Sequence, residues 1–291
     1  MRAVVLDDAG KPELKRIREP QGDGDLVQIR ACGLCGTDVQ KLGRAPAGTV
    51  LGHEVVGELG DGRRVALVHH LPCGECERCR AGHESTCEEF KAATIVPGGF
   101  AERARSRDWI EIPTPVEDAV ATFAEPLGCV LRAVDRVPHG RVLVVGCGFS
   151  GLLFVQVLAR RGDDVFASDP VPERLELARS FGAKQADGPV AAAVLCAHGG
   201  LDDALAALEP GGTLLVFAWM PEAAPVDFER VLRGELSIIG SCSATPRHML
   251  SAVNLLPDLE PIPTTVLPLG RFAEGVDLYR RHDAVKVVFT P

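Results

Sequence analysis

The stretch from Val142 to Asp169, VLVVGCGFSGLLFVQVLARRGDDVFASD, constrains the fold more than any other part of the chain. An apolar run, Val142 to Val145, leads into Gly146-Cys147-Gly148-Phe149-Ser150-Gly151. An apolar, helix-like segment follows from Leu152 to Ala159, and a second short strand ends at Asp169. Strand, glycine turn, helix, strand and acid is the order that binds a dinucleotide. Gly146 permits a tight turn, Gly148 lets the backbone approach a pyrophosphate, and Gly151 lets helix and strand pack closely. The helix N-terminus presents unpaired N–H groups to the phosphates. Asp169 falls 18 residues after Gly151, where a carboxylate accepts hydrogen bonds from both ribose hydroxyls and repels a 2′-phosphate. NAD is therefore expected over NADP. Val142 to Ala159 is also 18 residues without a charge, which raises a membrane helix as a competing reading. Three glycines and a serine inside it, and Arg160-Arg161-Gly162-Asp163-Asp164 closing it, argue against a membrane span.

The rest of the chain must supply something for that dinucleotide to act on. At 291 residues there is room for two domains. The net charge of −9 carries no basic stripe, so neither nucleic acid nor an anionic membrane is an expected partner. The N-terminus meets acid at Asp7-Asp8, too early for a signal peptide, and a cytoplasmic location is expected. The ten cysteines fit reduced thiols better than disulfides, because four of them cluster at metal-ligand spacing.

The first third reads as β structure, with strands at Arg2 to Leu6, Leu14 to Ile17 and Leu26 to Ala31. Next comes Cys32-Gly33-Leu34-Cys35-Gly36-Thr37-Asp38, which alone fits a redox pair or half a zinc knuckle. Gly52-His53-Glu54 then opens another apolar strand. Together these motifs offer a thiolate, an imidazole and a carboxylate, the ligand set of a catalytic zinc.

Cys73, Cys76, Cys79 and Cys87 lie in a polar loop at spacings of 3, 3 and 8. Four thiolates close tetrahedrally on one Zn²⁺ and leave no open position, so this zinc is expected to be structural. Two disulfides, or His83 in place of one thiol, are the competing readings. His69 and His70 leave the strand just before this loop and are expected to be a solvated or structural pair rather than part of an active site. Glu125-Pro126-Leu127 follows a helical start at Val116 to Phe123, and its apolar neighbours argue that Glu125 faces a pocket.

At this point the ordered set of motifs resembles the zinc-dependent medium-chain alcohol dehydrogenases. The matching elements are Cys35-Gly36-Thr37-Asp38, Gly52-His53-Glu54, the four-cysteine lobe, Glu125-Pro126-Leu127, Gly146 to Gly151 and Asp169. Pro210-Gly211-Gly212-Thr213 and the closing Val285-Lys286-Val287-Val288 extend the likeness nearly end to end. The Glu-Pro-Leu form at Glu125 looks like the polyol (sorbitol-like) and threonine dehydrogenase branch. The resemblance implies an α/β architecture: a Rossmann doubly wound parallel sheet plus a GroES-like β domain, with the active site in the cleft between them. The expected domains are a GroES-like unit over 1–120 carrying the structural zinc lobe, a Rossmann domain over 121–256, and a return to the first domain over 257–291. A homodimer or homotetramer is implied as well. Arg174, five residues after Asp169, is placed to reach the adenosine end of NAD as the family's basic residue there does, or else is a solvated helix charge.

After Asp169 the pattern alternates: helix from Pro172, strand from Ala191 to Ala197, helix from Asp202 to Leu208, strand from Thr213 to Trp219, helix from Val226, strand from Leu236, and helix from Arg247. That alternation argues for a parallel sheet. The chain also departs from the pattern of the family it resembles. It is shorter, the gap between Asp38 and His53 is trimmed, and Ala183 to Ala191 is too short for a strand and a helix. No histidine follows the Thr37-Asp38 pair, where the family often uses one to pass a proton to solvent.

The expected activity is zinc-dependent transfer of hydride from a secondary alcohol (a polyol, sugar or amino alcohol) to NAD, with two zinc ions per chain. Cys35 and His53 would hold the catalytic zinc, with Glu54 or Glu125 as third ligand. Thr37 would accept the hydroxyl proton, and Asp38 would orient His53. Two alternatives compete. The shortened chain is a catalytically inactive dinucleotide-binding or sensing protein that keeps only the structural zinc, or it is a zinc-free reductase of the same superfamily. The second predicts neither ligand set.

Overall fold

The computed structural model describes residues 1–91, 94–220 and 223–291, which form two compact units. Cys129–Ser243 makes one, and Met1–Gly128 with Ala244–Pro291 makes the other.

The unit Cys129–Ser243 contains a six-stranded sheet whose neighbouring strands all pair in parallel. Across the sheet the strands run Lys184–Gln185, Asp164–Ser168, Arg141–Val145, Val190–Leu195, Leu208–Val216 and Ser237–Gly240. Numbered along the chain this is the order 3-2-1-4-5-6 of the Rossmann fold. The order reverses between Arg141–Val145 and Val190–Leu195, the switch point outside which ligands bind in such sheets. Both strands are apolar and nearly fully buried, as a sheet covered on two faces requires. The helix Phe149–Arg161 buries every residue from Gly151 to Leu158 and ends at Gly162 in the left-handed region, φ +89°.

The uncharged stretch Val142 to Ala159, whose glycines and flanking charges argue against a membrane span, is thus a buried strand, a turn and most of a helix of 13 residues. Among the described residues no helix is long and apolar enough to cross a membrane. The shortening seen at Ala183 to Ala191 is equally visible. Lys184–Gln185 is a two-residue strand, and residues 186–189 link it to Val190–Leu195 without a helix. Arg141 closes this corner. Its guanidinium lies 4.3 Å over the Phe166 ring, donates to Pro189 O at 3.0 Å and pairs with Asp187. Pro210-Gly211-Gly212 does not precede a strand but bulges within one. Val190 pairs with Leu208 and Ala192 with Thr213, so residues 209–212 are accommodated at a register shift, with Gly211 at φ +80°. That strand ends at Val216, short of Trp219.

The unit Met1–Gly128 with Ala244–Pro291 is built on an eight-stranded sheet, mostly antiparallel. Its main path runs Thr264–Pro268, Lys286–Thr290, Asp25–Gly33, Glu54–Leu59, Arg64–Leu67 and Trp109–Glu111. The last strand of the chain therefore lies beside one of the first: Val288 pairs with Gly33 and Phe289 with Cys32. The helix Phe272–Arg280 crosses over between the two C-terminal strands, which pair in parallel. Phe100, Phe272 and Phe289 meet at centroid distances of 4.8–5.6 Å in the core of this unit. Such pairs contribute about 0.5–1.5 kcal/mol each beyond burial. The Glu-Pro-Leu motif follows the short helix Asp118–Ala121, as expected, and lies in the first turn of the next one, Ala124–Val134.

Candidate active site and metal centres

The glycine turn has the form that a dinucleotide needs. Gly146 has φ +92°, and a Cβ there would lie 2.7 Å from the Ala197 Cβ. A Cβ on Gly151 would fall 1.9 Å from Gly146 O, so only glycine lets the helix sit this close to the strand end. A Cβ on Gly148 would meet nothing within 4 Å. The protein therefore does not need a glycine at 148 for its own packing, and the bare backbone faces open space at the helix N-terminus, where a pyrophosphate would sit. Phe149 and Ser150 are half-buried beside it.

Asp169 is tied to the same turn. Its Oδ2 accepts from Cys147 N at 2.7 Å and its Oδ1 from Val171 N at 2.8 Å. A carboxylate has about four acceptor sites, so two backbone bonds fix its orientation and leave capacity for ribose hydroxyls. The buried Cys147 thiol is pushed up to about 12 by burial and then by the Asp169 charge. The Arg174 charge opposes that shift.

The four-cysteine lobe folds as a compact loop. Cys76 caps the short helix Glu77–Arg80, its thiol accepting from Cys79 N at 3.4 Å. Cys73 Sγ accepts from Cys76 N at 3.3 Å, and Cys87 Sγ from Cys73 N at 3.5 Å. Cys73 Sγ lies 3.9 Å from Cys79 Sγ and 3.6 Å from Cys87 Sγ, and all four sulfurs are within 4.8 Å of one another. A tetrahedral zinc with Zn–S near 2.3 Å sets its sulfurs about 3.8 Å apart, so this donor set fits. The cysteines form no disulfide, and His83, exposed, is outside the group. The N–H of Cys73 heads the causes that lower Cys87 to about 6, while burial raises Cys79 to about 12.

A second donor group joins Cys35, His53 and Glu54, whose ligand atoms lie within 4.8 Å of one another. The three come from different places. Cys35 is the N-cap of helix Gly36–Lys41, His53 precedes the strand Glu54–Leu59, and Glu54 opens it. Asp38 holds the arrangement together from one turn into the helix. Its Oδ2 accepts from Cys35 N at 3.1 Å, and its Oδ1 accepts from Gly52 N at 3.2 Å and lies 3.3 Å from His53 Nδ1. Asp38 is only 1% exposed. Burial works against its charge, but His53 and the two N–H groups outweigh that and hold the carboxyl below its usual range. Burial likewise disfavours a charged His53, yet Asp38 and Cys35 raise it well above its ordinary value. The pocket is thus built for positive charge at the Cys35–His53 position, which a divalent cation supplies. With Nδ1 on Asp38, Nε2 is the ring atom left for a metal.

Thr37 is exposed on the same helical turn. Glu125 is buried, 7% exposed, but lies outside the Cys35–His53–Glu54 group. His69 and His70 are half-buried and packed ring against ring. The His69 ring centroid is 4.9 Å from His53 and 3.9 Å from His70, which stacks on Phe90 at 4.4 Å. Burial, and next the charge of His53, lower His69 to about 2 and His70 to about 4, so both rings are neutral at neutral pH.

The residue that sequence reasoning passed over is Lys286. Its Nζ donates to Glu54 Oε2 and, at 3.2 Å, to Leu34 O. The available signal was a lysine heading the apolar, buried run Val287 to Phe289 of the strand Lys286–Thr290.

The comparisons with known proteins agree with this geometry. Residues 22–115 match the alcohol dehydrogenase GroES-like domain. An alcohol dehydrogenase from Geobacillus stearothermophilus is 31% identical over 87% of this chain and 88% of its own length. L-threonine 3-dehydrogenase from Caldanaerobacter subterraneus subsp. tengcongensis is 28% identical over 98% of this chain and 95% of its own. A solved structure from Sinorhizobium meliloti 1021, described as a zinc-binding dehydrogenase bound to NADP, superposes with a TM-score of 0.87 at 26% identity. That alignment covers 100% of this chain and 99% of the other. The chain belongs to the zinc-dependent medium-chain alcohol dehydrogenase family. It is an oxidoreductase, and the inactive sensing alternative finds no support in these likenesses.

Proposed function

We propose that the protein oxidises a polar secondary alcohol (a polyol, sugar or amino alcohol) with NAD, using a zinc ion at Cys35, His53 and Glu54. The observation that carries this reading is the convergence of those three donors on one point, with Asp38 behind His53. It favours Glu54 over Glu125 as the third ligand. Thiolate, imidazole and one carboxylate are a catalytic zinc set that leaves a fourth position for substrate. When bound, zinc removes on the order of 12 kcal/mol of the cost of ionising an alcohol at neutral pH, and NAD accepts the hydride.

The chain's own residues do the rest. Asp38 fixes the His53 ring and its protonation. Thr37, on the turn that starts at Cys35 and exposed to solvent, accepts the hydrogen bond of the substrate hydroxyl and passes its own proton to water as it takes the substrate's. Gly146 to Gly151 hold the pyrophosphate on backbone N–H groups, and Asp169 faces the ribose hydroxyls. Its negative charge supports NAD over NADP. Arg174 lies on the helix that follows Asp169 and supports the adenosine end. Glu125, buried in the same unit, supplies a second carboxylate for a substrate rich in hydroxyl or amino groups. Cys73, Cys76, Cys79 and Cys87 hold a second, structural zinc.

A homodimer or homotetramer belongs to this reading. Ser237–Gly240 is an edge strand, and Phe228 and Leu232, 73% and 78% exposed, lie one helical turn apart on the helix before it. Apolar residues beside a free strand edge support burial against another copy. A cytoplasmic setting fits the reduced cysteines.

The test is NAD and NADP reduction by purified protein against a panel of polyols, sugars, amino alcohols and simple secondary alcohols. The expected result is turnover with NAD on a polar member of the panel and none in Cys35→Ala. Activity retained in Cys35→Ala would overturn the reading.

A further inference from the structure

The strand Lys286–Thr290 is buried as far as Phe289, with Val287, Val288 and Phe289 at most 1% exposed. Lys286 begins it and is itself 3% exposed. A buried ammonium is costly unless it is paired and hydrogen-bonded, so a lysine here needs a partner. Its partners include the Oε2 of Glu54, itself 2% exposed, and the carbonyl of Leu34. Leu34 precedes Cys35, and Glu54 follows His53. One side chain from the C-terminal strand therefore ties together the two segments that carry the candidate ligands.

The slot for this contact is prepared by a glycine. Gly33 pairs across the sheet with Glu54, and a Cβ on Gly33 would lie 1.9 Å from Glu54 Oε2. Gly33 also pairs with the C-terminal strand at Val288. The missing side chain lets the Glu54 carboxylate lie over the Asp25–Gly33 strand and meet Lys286 from the next one.

We propose that Lys286 is a positioning residue of the catalytic metal centre. By occupying Glu54 Oε2 it presents the carboxylate through Oε1 alone. A carboxylate with both oxygens free can clasp an ion with both and take the open position, whereas one held by an outer partner binds through a single oxygen. The lysine charge also stands against the negative charge of Glu54. This inference rests on the reading that Cys35, His53 and Glu54 hold the metal.

The experiment is Co²⁺ titration of the full-length protein after removal of its more labile metal, read as affinity and as the visible Co²⁺ spectrum. Lys286→Met should bind Co²⁺ about 10–100-fold more weakly, as loss of an outer partner commonly does. Its visible bands should also weaken, as expected for a higher coordination number. Lys286→Arg should stay close to the unaltered protein in both. Glu54→Gln should weaken binding as well, and adding Lys286→Met to it should cause no further loss, because the lysine acts through that carboxylate. The double variant also removes both buried charges, so it answers the question even where Lys286→Met alone fails to fold. A further loss in the double variant, or unchanged affinity and spectrum in Lys286→Met, would overturn the inference. If Glu54→Gln weakens binding and Lys286→Met does not, only the lysine's role is lost. If neither weakens it, the assignment of Glu54 as a ligand is wrong.

Discussion

Asp38 Oδ1 lies 3.3 Å from His53 Nδ1, and the same carboxylate accepts from the backbone N–H groups of Cys35 and Gly52. One buried acid thus fixes the ring of one candidate ligand and the backbone of another. Asp38→Asn keeps the shape and loses the charge. It should weaken metal binding at this centre about 10–100-fold, with kcat falling in parallel. Metal affinity by chelator competition, with the four-cysteine site as internal reference, checks this.

Thr37 is exposed on the turn that begins at Cys35. Thr37→Ala should lower kcat by about 10²–10⁴-fold, the usual weight of a positioned proton acceptor, while metal content stays the same. Steady-state kinetics with parallel metal analysis would show it. An unchanged kcat would remove Thr37 from the proton path.

The glycine turn separates packing from binding. Gly148→Ala meets no protein atom within 4 Å, so thermal stability should stay within about 1 kcal/mol of the unaltered protein. Its methyl group occupies the space left for the pyrophosphate, so NAD affinity should fall at least about tenfold, or roughly 1.4 kcal/mol. Gly151→Ala drives a Cβ to 1.9 Å from Gly146 O and should cost about 1–3 kcal/mol of stability as well. Calorimetry and NAD titration on the two variants distinguish these outcomes.

That contrast also marks how far the sequence was legible. The strand, glycine turn, helix and acid were readable because each has its own local requirement, and the strand order 3-2-1-4-5-6 follows from them. The four cysteines were readable because their ligand spacing lies within one loop. Lys286 and Glu54 are 232 residues apart, and nothing local joins them. Their meeting depends on the C-terminal strand pairing with Asp25–Gly33. The approach of His69 to His53 is likewise set by the sheet, since Glu54–Leu59 pairs with Arg64–Leu67. The bulge at residues 209–212 was missed because a proline and two glycines read locally as a turn.

Asp118 offers a pH test outside the site. It accepts from Arg30 Nε at 2.7 Å and from Arg64 Nη2 at 2.6 Å. Burial tends to raise its pKa, but the two guanidinium groups prevail and hold it below the usual range. A depressed folded pKa means the stabilisation is present above the unfolded value, near 3.9, and is lost as pH falls through the folded value. Asp118→Asn should therefore cost about 1–2 kcal/mol at pH 7, and the gap should close as the pH is lowered from about 5 towards 3. Urea denaturation of both proteins across that range is the check. A gap that widened in acid would contradict the assignment.

The most direct test of the two-metal reading is zinc per chain in protein purified without chelator, measured alongside Cys35→Ala. The structure predicts two equivalents in the unaltered protein and one in Cys35→Ala, with NAD affinity the same in both. Two equivalents retained in Cys35→Ala would contradict the assignment of Cys35, His53 and Glu54 as the catalytic metal centre.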